Sequence, residues 1–113
     1  MEISVGHTPD SDDAFMFYGM FTDKVPSPDF TVNHVIEDIE NLNLKATNPE
    51  LDVTAVSVHA CAYIPGYTIL RSGGSFGINY GPIVTAKKQM TIEELKKCKI
   101  AIPGTMTSAF LLL

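Results

Sequence analysis

Cysteine is scarce in this chain, basic charge is sparse, and no apolar run is long. Only two cysteines occur among the 113 residues. Cys61 and Cys98 lie far apart and form no C-x-x-C pair, so they read as reduced, buried small hydrophobes and not as a disulfide. Eight basic side chains stand against thirteen acidic ones, a formal charge of −5. No Lys/Arg cluster exceeds a pair (Lys87-Lys88, Lys96-Lys97), so the chain lacks the electrostatic footprint of a nucleic-acid binder, and no polyanionic partner is expected. No apolar run approaches the ~18 residues a membrane helix requires, which argues against a membrane partner. The first residues, "MEISVGHTPD", begin directly on a strand-like run without a basic segment and apolar core. No secretory signal is visible there, and the expected compartment is the cytoplasm.

What is present is a globular composition, 45% hydrophobic and 19% charged, outside the disordered range. Strand-like and helix-like segments alternate along it. Ile3–Gly6 is a short β run, followed by the turn-rich "HTPDSDD". Ala14–Phe21 is apolar on nearly every face, which predicts a buried helix with Ser11 or Asp12 as N-cap. "KVPSPDF" is a loop by its two prolines, and Phe30–Val35 alternates as a strand. Glu37–Ala46 places Ile39, Leu42 and Ala46 on one stripe of a helix, with Glu37, Asp38 and Glu40 at the positive end of its macrodipole.

"VTAVSV" predicts a third strand, and His59–Ile64 a short helix stopped by Pro65-Gly66. Further strands are expected at "YTILR" and "GPIVTAK", joined by the glycine loop "SGGSFG". Thr91 to Glu94 is a capping box opening a helix that closes on Lys96-Lys97. "KIAIP" reads as a buried strand, "GTMT" as a turn and "SAFLLL" as the first turns of another helix. Ending on three leucines without a cap, this last unit cannot cover its own apolar surface. The expectation is the N-terminal portion of a longer α/β protein.

A repeated βα pattern predicts a mainly parallel sheet, in which ligands collect beyond the carboxyl ends of the strands. Three turns qualify: "HTPDSDD", "SVHA" and "PGTMTS". Each offers free amides and small hydroxyls at a helix start, which suits a carboxylate or phosphate. Gly104 allows close backbone approach, and Thr105, Thr107 and Ser108 add hydroxyl donors. Taken singly, Ser57 or Thr107 is an ordinary N-cap. Three such turns in one small sheet point to a site without identifying it.

Other patterns carry less. His7, His34, His59 and Cys61 have no zinc spacing. "DSDD" begins like a calcium loop, but Ala14 and Phe15 stand where a ligand and the glycine are needed. "GGSFG" is neither a dinucleotide fingerprint nor a P-loop, and reads as a flexible connection. Asp12 and Asp13 are capping carboxylates that could also hold a hydroxylated ligand.

In their order, "HTPDSDDAFMFYGM", "IEDIENLN", "LDVTAVSVHA", "LRSGGSFGINYGPIVTAK" and "IAIPGTMTSAFLLL" resemble the 1,4-dihydroxy-6-naphthoate synthase family of the futalosine route to menaquinone. The resemblance covers nearly the whole chain and implies a type II periplasmic-binding-protein-like α/β fold, two lobes around a cleft. Residues 1–87 would build the first lobe and residues 88–113 open the second. It implies lyase chemistry that converts cyclic dehypoxanthine futalosine to 1,4-dihydroxy-6-naphthoate, a small carboxylated aromatic, with no metal or organic cofactor. Ser57, Thr107, Ser108, Gly104 and Asp13 are the implied substrate-binding residues, Asp13 matching the family's first turn better than Asp12. The family's catalytic histidine would lie beyond Leu113, and none of the three histidines here matches it. Two other readings share the fold: a solute-binding protein without chemistry, and the sister chorismate dehydratase.

Overall fold

Six residues of β1, Glu2–His7, form the central strand of a three-stranded parallel sheet with order β2-β1-β3. The computed structural model describes residues 1–113. β2, Thr31–Ile36, pairs with β1 along its whole length, from Glu2 opposite Thr31 to His7 opposite Ile36. β3 is short: Val53–Thr54 lies opposite Val5 and Gly6, and the amide of Ala55 continues the ladder to the Gly6 carbonyl at 2.8 Å. Because all three strands run the same way, the turns that follow them leave one edge of the sheet. That edge is where a parallel sheet gathers ligands.

Helix α1, Ser11–Phe21, crosses from β1 to β2. It starts earlier than the apolar run, at Ser11, with Asp10 in the extended N-cap conformation but without a side-chain cap bond. Asp13 closes the turn in its place. Its Oδ2 accepts from the Thr8 amide at 2.6 Å and the Thr8 hydroxyl at 2.9 Å, and the residue is buried. The expectation of a helix buried all round is not met. Phe15 is 87% exposed, Met16 and Tyr18 are also open to solvent, and even Phe21 is only partly covered. A helix lying on a three-stranded sheet has one face to bury, and here Phe17 and Phe21 carry it, packed on His7 and His34.

Helix α2, Ile39–Thr47, is capped by Asp38, whose Oδ1 accepts from the amides of Glu40 and Asn41 at 3.0 Å each. Asp38 therefore serves as the cap and not as a first-turn residue. The apolar stripe lies where its spacing puts it: Leu42 and Ala46 are fully buried. Leu42 packs against Gly6, where a Cβ would meet Leu42 Cδ2 at 2.9 Å and Leu51 Cδ1 at 2.6 Å. The bare backbone of Gly6 lets α2 and the following loop close onto the central strand.

Past β3 the chain makes a single 3-10 turn, Ala60–Tyr63, and then no helix or strand until α3, Ile92–Leu95. Thr68 to Gln89 are exposed throughout. Tyr67 is the last anchor before that stretch, its hydroxyl bonded to the Leu51 carbonyl. The runs "YTILR", "GPIVTAK" and "KIAIP" therefore form no strands. An alternating run becomes a strand only when another edge takes its amides, and neither β2 nor β3 does so. The radius of gyration is 16.8 Å, with extents of 57 × 29 × 21 Å, against about 13 Å for a compact chain of this length.

The capping box at α3 is formed in full, Thr91 and Glu94 bonding reciprocally. The Thr91 amide and hydroxyl hold the Glu94 carboxyl below its usual range. The helix stops at Leu95 with Lys96 as its C-cap, two residues short of the expected close at Lys97. Helix α4, Ser108–Leu111, follows. Both cysteines are free, but Cys98 is exposed and Cys61 half-buried, so neither is the fully buried hydrophobe expected. No helix is long and apolar enough to cross a membrane.

Under α1, the buried His7 couples to His34. His7 Nδ1 lies 3.1 Å from the Thr8 carbonyl and Nε2 lies 3.2 Å from His34 Nδ1. A carbonyl only accepts, so His7 carries its proton on Nδ1 and takes a hydrogen bond from His34 through Nε2. Desolvation beneath α1, and then the neighbouring His7, hold the His34 pKa below 6.5. The fold thus favours the neutral His34 ring. Its contribution is complete above pH 6.5, the unfolded value, and is lost as pH falls from there through the lower folded value. The melting temperature is expected to drop between pH 7.5 and 5.5, and His34→Gln to drop measurably less. Parallel melting curves of the two proteins over that interval would refute the assignment.

Candidate functional site

Two polar residues of α2, one helical turn apart, join turns that are distant in sequence. Asn43 is fully buried. Its Oδ1 accepts from the Ser57 amide at 2.8 Å and its Nδ2 donates to Ser57 Oγ at 3.1 Å. The Ser57 N–H can only donate, so the orientation of the Asn43 amide follows from its partners. Its Nδ2 also faces Glu40 Oε2 at 3.4 Å.

Glu40 reaches the other turn. The Met106 amide donates to both Glu40 oxygens at 3.2 Å, and the Thr105 hydroxyl to Oε1 at 3.3 Å. This close approach depends on Gly104, whose φ is +154°. A Cβ there would lie 2.1 Å from Glu40 Cδ and 2.3 Å from Oε2.

The two turns also bond to each other. The His59 amide donates to Ser108 Oγ at 3.3 Å, and His59 Nδ1 lies 3.2 Å from the Thr107 carbonyl. Thr107 is buried. Its hydroxyl accepts from the Phe110 amide at 3.2 Å and donates to the Gly104 carbonyl at 2.8 Å. It caps α4 and closes the 104–107 turn at once.

The structure thus brings Ser57, Gly104, Thr107 and Ser108 into one cluster. Asp13 stays in the β1–α1 turn with Thr8 on its carboxylate, and no hydrogen bond ties it to that cluster. Asp12 is also apart, its carboxyl held low first by the Ser75 side chain of the glycine loop.

Three members of the cluster escape a reading of the sequence: Glu40, Asn43 and His59. Asn43 leaves a trace, because it stands at i+4 of the stripe Ile39, Leu42, Ala46, where an apolar residue is the norm. Glu40 leaves none, since it looks like an ordinary first-turn acid and its partner Thr105 is 65 positions away. Beside the cluster an open hollow of about 620 Å³ is lined by Thr47, His59, Tyr63, Thr105, Met106, Phe110 and Leu111.

A three-stranded parallel sheet crossed by helices makes this an α/β protein, and the Ser57 turn follows β3 at the carboxyl edge, where such sheets gather ligands. Comparison with known proteins gives the family. Residues 3–113 match the family described as menaquinone biosynthesis, and the chain belongs to that family. It is 36% identical over 112 residues to the 1,4-dihydroxy-6-naphtoate synthase of Thermus thermophilus, covering 98% of this chain and 40% of that protein. A crystal structure of a protein from Archaeoglobus fulgidus matches with a TM-score of 0.73 at 53% identity, over 79% of this chain and 34% of the other. The chain spans about two fifths of the length of the curated relative.

Gly104→Ala is expected to push the Glu40 carboxylate off the Met106 amide and to strain the turn by about 1–3 kcal/mol. Hydrogen exchange should report it as faster exchange at Met106, with the Ser57 amide, held by Asn43, still protected. Unchanged protection at Met106 would show that Glu40 does not hold the turn.

Proposed function

We propose that residues 1–113 supply the substrate-holding part of a 1,4-dihydroxy-6-naphthoate synthase. The enzyme is a lyase that releases the naphthoate from cyclic dehypoxanthine futalosine in menaquinone biosynthesis. The site lies in a cleft between two lobes, residues 1–87 belonging to the first and residues 88–113 opening the second. The family match and the likeness to a synthase over nearly the whole chain support this reading.

One observation carries it at the level of residues. Ser57 Oγ and Ser108 Oγ each accept a bond, from Asn43 Nδ2 and from the His59 amide, and neither donates one within the fold. Each hydroxyl is anchored through its oxygen and keeps its proton to give. Two fixed hydroxyl donors on facing turns suit the carboxylate of an aromatic acid, which only accepts. Thr107 and Gly104 act on the same guest by shaping the turn that carries Ser108. Asp13, in the turn after β1, supports the same sheet edge. Holding the guest between two separately anchored turns orients it, which is what the chain contributes to the elimination.

Calorimetric titration with 1,4-dihydroxy-6-naphthoate tests the reading. The unaltered chain is expected to bind, and Ser57→Ala or Ser108→Ala to lose about 1.5–3 kcal/mol, the worth of a hydrogen bond to a charged group. The loss corresponds to roughly tenfold or more in affinity. Absence of binding by the unaltered chain would overturn the proposal.

A further inference from the structure

The hollow beside the cluster has two kinds of wall. Tyr63, Met106, Phe110 and Leu111 are apolar surfaces, and His59 and Thr105 bring polar atoms. Its volume of about 620 Å³ falls within the roughly 300–1,000 Å³ of small-molecule clefts.

His59 is held at three points. Its amide is bonded to Ser108 Oγ, its Nδ1 faces the Thr107 carbonyl, and the Tyr63 ring stands edge-on to the imidazole at 5.3 Å and 82°. Since the carbonyl only accepts, Nδ1 carries the proton and Nε2 of the neutral ring carries the lone pair. Nothing in the fold donates to that lone pair, and no buried side-chain nitrogen or oxygen lacks a partner, so Nε2 is open to solvent, and His59 is among the residues that line the hollow. The position and tautomer are set by the same turn that carries Ser108.

From this geometry we infer that His59 Nε2 accepts a hydrogen bond from a ring hydroxyl of a bicyclic aromatic guest seated against Met106 and Phe110. An acceptor selects a donor: a phenolic hydroxyl satisfies Nε2, and a carboxylate does not. The neighbouring Glu40 carboxylate, resting on the Met106 amide, further disfavours an anionic group at this wall. The hollow therefore takes the hydroxylated ring, while the carboxylate goes to the serine hydroxyls. The inference rests on the proposed function and adds to it the residue that distinguishes a hydroxylated naphthoate from a plain one.

A matched pair of probes tests it: 1,4-dihydroxy-6-naphthoate and 2-naphthoate, which lacks both hydroxyls. Asn at position 59 keeps an amide N–H for the Thr107 carbonyl and deletes Nε2. His59→Asn is expected to weaken the dihydroxy compound roughly tenfold and leave 2-naphthoate unchanged. Imidazole nitrogen spectra of the unaltered chain provide a second readout that does not depend on how the variant folds. They should show the Nδ1–H tautomer, and the dihydroxy compound alone should shift the Nε2 resonance. Binding of neither compound by the unaltered chain overturns the functional reading, and this inference with it. Binding of both that His59→Asn leaves unchanged overturns the inference alone, as does an Nε2-protonated ring or an Nε2 resonance that the dihydroxy compound leaves in place.

Discussion

Glu40 and Asn43 project from the first two turns of one helix and grip two loops that the chain separates by some fifty residues. That grip brings the two loops together. Asn43 is fully buried, where an unpaired amide would be costly, and it is satisfied because Ser57 offers both a donor and an acceptor. Glu40 sets the second loop by accepting from its amide and hydroxyl, and Gly104 makes room for it. The loops then bond to each other through His59. Buried Leu42, between the two polar residues in sequence, fixes the rotation of the helix and so aims both of them.

The turns carry many hydroxyls, but few have a proton left to give. Thr107 spends its oxygen on the Phe110 amide and its proton on the Gly104 carbonyl, while Thr105 donates to Glu40. Ser57 and Ser108 differ because the fold uses only their oxygens. Counting donors and acceptors atom by atom thus separates residues that build the turn from residues free to meet a guest.

Much of this was legible in the sequence, wherever the signal was local. The capping box at Thr91 and Glu94 lies within one helical turn, and the stripe of α2 within three. The βα alternation of the first sixty residues yields a parallel sheet, and the turns at its edge fall where the topology requires. Failures arose where structure depends on distant partners. "YTILR", "GPIVTAK" and "KIAIP" have strand composition and no edge to pair with. The helix around Phe15 has core composition and one packed face. Glu40 looks like a capping acid until the loop around Thr105 is placed beside it.

The position of Glu40 also decides how charge is distributed in the site. The Met106 amide, a backbone donor that an incoming anion could otherwise meet, is already satisfied by a carboxylate of the chain itself. A guest carboxylate placed there would meet a like charge in a partly desolvated setting, at a cost that neutral donors elsewhere avoid. The serine hydroxyls and the imidazole lone pair are uncharged, and they differ in sense, two donors and one acceptor. On the proposed reading such a site would discriminate by hydrogen-bond direction more than by net charge. An aromatic with an acid group at one end and a hydroxyl at the other would then match in both senses, whereas a simple anion would match only half of it.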